Sequence, residues 1–203
     1  MTARIFILSP AKCGGRRAQI LLNPEARFDI ARQVASRRGA PLGEVFSFLS
    51  GLYFRGKLAY AQAFSQDDDG AAPLVITPDR GLVPVSRRVR HADLLEFSEV
   101  PIDLDEPRYR RPLTRDVRRL AATLPTDAQA VLLGSIATGK YCDVLVEHFG
   151  ERAVFPRDFV GRGDMSRGGL MLRAVDSGEE LKYVPIVGAV RRGARPAKLP
   201  RRI

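Results

Sequence analysis

Residues 130–145 read AVLLGSIATGKYCDVL. A short apolar run ends at Gly134, Gly139 and Lys140 follow, and an amphipathic stretch comes next. Strand, glycine-bearing turn and helix in that order are the building unit of α/β folds. The turn meets seven of the eight positions of a Walker A phosphate loop; the eighth, where a Ser or Thr hydroxyl would hold Mg²⁺, is Tyr141. No apolar strand ending in a metal-binding carboxylate comes after it, and the motif lies two-thirds of the way along the chain. A nucleotide-hydrolysing loop is therefore disfavoured. What is left is a strand–helix turn in which Gly134 and Gly139 allow close backbone approach, Lys140 suits an anion, and Ser135 and Thr138 are further candidate phosphate or nucleic-acid contacts. A plain structural turn with a solvated lysine is the competing reading.

Outward from this unit, RIFIL at 4–8 reads as a buried strand ending in Ser9-Pro10 and a basic, glycine-bearing loop. Asn23 as cap, Pro24 at the first position and Gly39 as stop predict a helix between them. A second helical stretch covers 43–64, broken or bent at Gly51 and Gly56. The acidic turn SQDDDGAAP at 65–73 leads into a strand at 73–77. In the Pro- and Arg-rich section 78–113, RHADLLEF at 90–97 is expected to give one or two helical turns. Thr114 then caps TRDVRRLAATL, with Val117, Leu120, Ala121 and Leu124 on one face. After the 130–149 unit, AVFP is a short strand. GLMLRAV and ELKYVPIV are expected to form a terminal β-hairpin turning at Asp176-Ser177-Gly178.

The expected fold class is α/β: a mostly parallel sheet flanked by helices, a C-terminal β-hairpin, and an irregular basic tail. Residues 1–190 form the single domain and residues 191–203 the tail. In such sheets the ligand crevice lies outside the carboxyl ends of the strands. Ser9 and Lys12 come after the first strand, Thr77 to Gly81 after the second, Gly134 to Lys140 after the third, and Pro156 to Asp158 with GRGDMSRGG after the fourth. Hydroxyls, glycines and cations converge there on one edge, as an anionic or heteroaromatic ligand requires.

GRGDMSRGG at 161–169 has four glycines in nine residues, which suits a loop bringing its amides to a ligand. Gly161 and Gly163 give that approach, Arg162 and Arg167 suit phosphates, and Ser166 can donate a hydrogen bond. Asp164, the sole carboxylate of the segment, is the candidate general base. A tight turn with an Asp–Arg pair is the structural alternative. Cys13, beside Lys12 and two glycines, is expected to have a somewhat acidified thiol. Tyr53, Arg55, Lys57 and Tyr60 mix aromatic and basic groups at near-helical spacing, either as a stacking surface or as a half-core, half-solvated face.

The 203 residues, 45% hydrophobic and 28% charged, suit one globular domain. The apolar run after Met1 is too short for a secretory signal, and no segment is long enough to span a membrane. With two cysteines and no Cys/His ligand spacing, the reading is a cytoplasmic protein with no metal and no cofactor. The net charge is +10, but residues 191–203 carry six cations and no acid, leaving +4 for residues 1–190. The basic character is thus concentrated in the tail, either as a solubilising device or as a nucleic-acid contact.

Several of these motifs, in this order, resemble the YaaA family of small bacterial proteins: ILSPAK at 7–12, SGLY at 50–53, the Gly-Leu turn in ITPDRGLVP at 76–84, and RGDMSR at 162–167. The resemblance covers about a fifth of the chain. It implies an unusual α/β fold, association with peroxide stress and DNA binding, with Ser9, Lys12, Arg162, Ser166 and Arg167 as the matching positions. Cys13, Gly168 and Gly169 depart from the pattern. The leading functional expectation is a nucleic-acid-binding protein, DNA favoured, in DNA protection or repair. The alternatives are an enzyme acting on a nucleotide or nucleoside, a glycosidic-bond hydrolase or transferase with Asp164 as base or nucleophile, and a non-catalytic interaction module.

Overall fold

The computed structural model describes residues 3–65 and 72–199. The acidic turn expected at 65–73 falls largely outside the described residues, as do the last four residues of the tail. The fold is α/β. Its main sheet has the order β4-β3-β1-β6-β7-β8, formed by Gly81–Pro84, Leu74–Thr77, Arg4–Leu8, Gln129–Leu133, Ala153–Pro156 and Tyr183–Pro185. β1 runs parallel to β3 and β6, and β6 parallel to β7. The two edge strands, β4 and β8, are antiparallel to their neighbours. Ala40–Pro41 (β2) and Arg88–Val89 (β5) make a separate antiparallel pair. β1 and β6 are central strands, buried on both faces, which is why each reads as an unbroken apolar run rather than an alternation.

Between the strands lie Arg16–Leu21 (α1), Asp29–Ala35 (α2), Leu42–Ser50 (α3), Leu52–Phe64 (α4), His91–Glu99 (α5), Pro107–Thr123 (α6), Gly139–Phe149 (α7) and Asp164–Ser177 (α8). α4 packs against α8, α3 and β1, while α6 packs against α7, β3 and β4. No helix among the described residues is long and apolar enough to cross a membrane.

Several expectations are corrected. The C-terminal β-hairpin does not form: residues 164–177 are a helix, and β8 pairs with β7 instead. The buried positions Arg167, Gly168, Met171 and Ala174 recur at helical spacing. Asn23 does not cap a helix. Its Oδ1 accepts from the Glu25 amide, the chain turns at Ala26, and α2 starts only at Asp29. Thr114 lies inside α6, which Glu106 caps by accepting from the Arg108 amide, with Pro107 at the first helical position. Gly51 does separate α3 from α4, but Gly56 leaves α4 unbroken.

Gly168 of the 161–169 segment serves helix packing rather than ligand approach. A Cβ on Gly56 would lie 2.7 Å from the Gly168 carbonyl oxygen, and one on Gly168 would lie 2.7 Å from that of Leu52. α4 and α8 therefore touch backbone to backbone, a distance only glycine permits.

Candidate functional site

The β1–β6 ladder runs one residue beyond β1: the Ser9 amide donates to the Leu133 carbonyl at 3.2 Å. Ser9 thus stands at the carboxyl end of the central strand with Gly134 beside it. A Cβ on Gly134 would approach the Ser9 Cβ to 2.9 Å, so the glycine leaves room for that side chain. The carboxyl ends of β1, β3 and β6 open into a pocket of about 580 Å³. Ser9 and Lys12 line it from β1, Ser135, Lys140 and Tyr141 from the β6–α7 unit, Tyr53 from α4, and Asp164 from the start of α8. Residues 97–102, at the end of α5 and just beyond it, complete the wall with Ser50, Pro78 and the loop that follows Ser9.

α7 begins at the pocket. Thr138 holds its N-cap position with extended backbone and makes no side-chain cap bond. Gly139 takes the next position, where any Cβ would collide with the Asp143 carboxylate. The first-turn amides, Lys140 and the positive end of the helix dipole therefore border the cavity. Tyr109 fixes this turn by donating its hydroxyl to the Lys140 carbonyl at 2.6 Å. Burial pushes the Tyr141 phenol up to about 12, with the Asp164 charge adding to the shift.

Asp164 opens α8 with its side chain largely exposed, and Arg167 Nη1 donates to its Oδ1 at 3.4 Å. Arg167 is itself buried. Its Nε donates to the Phe159 carbonyl at 3.1 Å and its guanidinium lies over the Phe159 ring, so it pins the first turn of α8. Arg162 and Ser166 bond each other and do not line the strand-end pocket. They border a separate hollow with Gly163 and tail residues 195–199. Gly161 lies under the tail, where a Cβ would strike the Ala194 carbonyl. Of the residues singled out from sequence, Ser9, Lys12, Ser135, Lys140 and Asp164 thus come together at the pocket. Gly134, Thr138 and Gly139 shape it, and Gly161, Arg162, Gly163 and Ser166 gather where the tail docks.

Lys57 escaped the sequence reading as a site residue. It lies on the buried face of α4, wholly inaccessible, and its Nζ donates to the Ser9 carbonyl at 2.9 Å and to Ser9 Oγ at 2.7 Å. The Tyr53 ring covers it, with Nζ 4.0 Å from the centroid. Burial pulls its pKa down to about 7; the Asp164 charge opposes that shift and Arg167 adds to it. The signal available in sequence was a lysine spaced i, i+4 from Tyr53 and i−3 from Tyr60, the inward face of the helix. The stripe of Tyr53, Lys57 and Tyr60 is therefore interior, and only Arg55 of that group faces solvent.

Cys13 is buried, and its thiol is pushed up to about 12 by burial and by the Asp79 charge, the reverse of the expected acidification. Arg80 is taken up by Asp79, Asp93 and Glu96, and Thr77 bonds within its own turn, so that strand end is structural. Among the described residues no group of three or more His, Cys, Asp or Glu is placed to hold a metal ion.

Two further hollows lie in succession beside the pocket. One of about 490 Å³ shares Glu99 and Val100 with it and reaches Pro107 and Arg111. The next, about 570 Å³, shares Pro107 and Arg111 and borders Arg110, Arg115 and Arg118 of α6. Arg110, Arg111 and Arg118 form no ion pair among the described residues. Compared with known proteins, the chain matches no family model, no curated protein and no solved structure.

Proposed function

We propose that this is a cytoplasmic nucleic-acid-binding protein that takes one nucleotide unit into the strand-end pocket, with a role in DNA protection or repair. The observation that carries the reading is the pocket itself: two lysines, a helix N-terminus and two tyrosines, with the carboxylates Glu99 and Asp164 also in the lining, around about 580 Å³ at the carboxyl ends of parallel strands. That volume lies within the range of about 300–1,000 Å³ usual for small-ligand sites. Cations suit the phosphate and aromatic rings suit the base. Arg110, Arg111 and Arg118 of α6 border the outer hollow and offer a polymer's adjoining phosphates cationic contacts, beyond a first hollow that Asp79, Glu96 and Glu99 also line. Ser9 and Lys12, two of the positions behind the YaaA resemblance, stand in this pocket.

The test is fluorescence anisotropy of labelled single- and double-stranded DNA and RNA across a salt series. Binding is expected to weaken steeply with salt as counterions are released. Absence of binding at low salt contradicts the reading. The second reading, an enzyme acting on a free nucleotide or nucleoside, is favoured by the exposed Asp164 carboxylate at the pocket edge. It predicts a mononucleotide-induced rise in melting temperature that survives deletion of residues 191–203.

A further inference from the structure

We propose that Ser9 and Lys57 are a nucleophile–base pair, with Ser9 Oγ accepting a phosphoryl group from a phosphate ester held in the strand-end pocket. This rests on the nucleotide reading of that pocket. Ser9 is a buried residue of the pocket wall, and its Oγ lies 2.7 Å from Lys57 Nζ, within reach for direct proton transfer. Lys57 approaches from behind the wall, fully enclosed, with the Ser9 carbonyl and the Tyr53 ring fixing its amine. A buried lysine is costly unless paired, and Lys57 forms no ion pair among the described residues. The charged groups acting on it are Asp164 and Arg167 of α8, in opposite directions. Burial prevails and brings the amine to about 7, so a neutral base is populated near neutral pH. Gly134 keeps the hydroxyl uncrowded; a Cβ there would lie 3.1 Å from Ser9 Oγ.

The class of electrophile is set by the other side chains. Lys12 and Lys140 line the same cavity and form no ion pair among the described residues, so they suit an anionic group. In the step, the Ser9 Oγ–P bond forms as the P–O bond to the departing sugar hydroxyl breaks. The Ser9 proton passes to Lys57 Nζ, and the departing oxygen, on the far side of phosphorus in the open cavity, takes a proton from solvent. Water then attacks the phosphoserine and releases a proton to solvent, and Ser9 leaves as the hydroxyl with the proton that Lys57 held. Lys12, Lys140 and the α7 amides offset charge on the phosphoryl oxygens.

The test uses the full chain and an alkyl fluorophosphonate, whose P–F bond Ser9 would displace with release of fluoride. Adducts are read by intact mass and peptide mapping between pH 5.5 and 9. One adduct on Ser9 is expected, forming faster through about pH 7 and then levelling as Lys57 loses its proton. Ser9→Ala is expected to abolish it, and Lys57→Met to slow it by about 10²–10⁴-fold. Should Lys57→Met fail to fold, the wild-type pH profile decides. No adduct on folded protein, an adduct elsewhere, a rate flat across pH 7, or an unchanged rate in folded Lys57→Met overturns the pair. Thermal shift with a mononucleotide separates the two ideas: binding without an adduct removes the pair alone, and an adduct without binding removes the nucleotide reading alone.

Discussion

Gly56 of α4 and Gly168 of α8 face each other so closely that a Cβ on the first would sit 2.7 Å from the carbonyl oxygen of the second. This approach seats α8 against α4, placing Asp164 and Arg167 near Lys57 and Tyr53. Adding a methyl to Gly56 or Gly168 must push the helices apart. Each Gly→Ala change is expected to destabilise the fold by about 1–3 kcal/mol. Gly169 next door meets only ordinary contacts, at 3.5 Å and beyond, so Gly169→Ala should stabilise by about 0.5–1 kcal/mol through helix propensity. Urea midpoints of the three variants check the opposite signs.

Asp116 joins α6 to the sheet edge. It is buried, its Oδ2 accepts from the Leu82 amide at 3.1 Å, and its Oδ1 accepts from Arg115. Asp116→Ala leaves the Leu82 amide without that acceptor and is expected to cost about 1–3 kcal/mol. Urea midpoints of the variant and the wild type check this. Unchanged stability would show that this bond does not anchor the helix.

Lys57 makes stability depend on pH in a stated direction. Between its folded value of about 7 and its ordinary 10.5, the unfolded chain holds a proton that the folded chain has released. Stability therefore rises with pH through that window, at up to about 1.4 kcal/mol per unit, and below it the full burial cost remains. Lys57→Met lacks this dependence. Urea unfolding at pH 7, 8 and 9 should show the wild type gaining on the variant. A constant difference would contradict the enclosed, weakly basic lysine.

The tail is held at its start. Arg191 pairs with Asp143 at 2.6 Å, and Arg162 donates to the Ala197 carbonyl at 3.4 Å. The ion pair is about half exposed, so Asp143→Asn is expected to change stability by no more than about 1 kcal/mol. Deleting residues 191–203 should weaken nucleic-acid binding and flatten its salt dependence by about one unit per cation that reaches a phosphate. An identical slope would make the tail a structural strap only.

The parallel strands were legible because burial on both faces leaves unbroken apolar runs such as IFIL and AVLL. The 139–149 helix was legible from its amphipathic pattern and closing glycine. α8 was not, because its glycines mimic a ligand loop, and the helix crossing that requires them is a tertiary fact. Five pocket residues were legible since strand ends in an α/β sheet converge by topology. The enclosure of Arg167 and Lys57 was not legible, because nothing local in the sequence reveals that a charged side chain is buried.

The most direct measurement compares labelled single-stranded oligonucleotide binding by the wild type and by a Lys12→Ala, Lys140→Ala double variant over a salt series. If the pocket takes a nucleotide unit with its phosphates, affinity falls and the salt slope drops by about two units, one for each lysine. A folded double variant with unchanged affinity and slope would contradict the account, because the pocket lysines would then hold no phosphate.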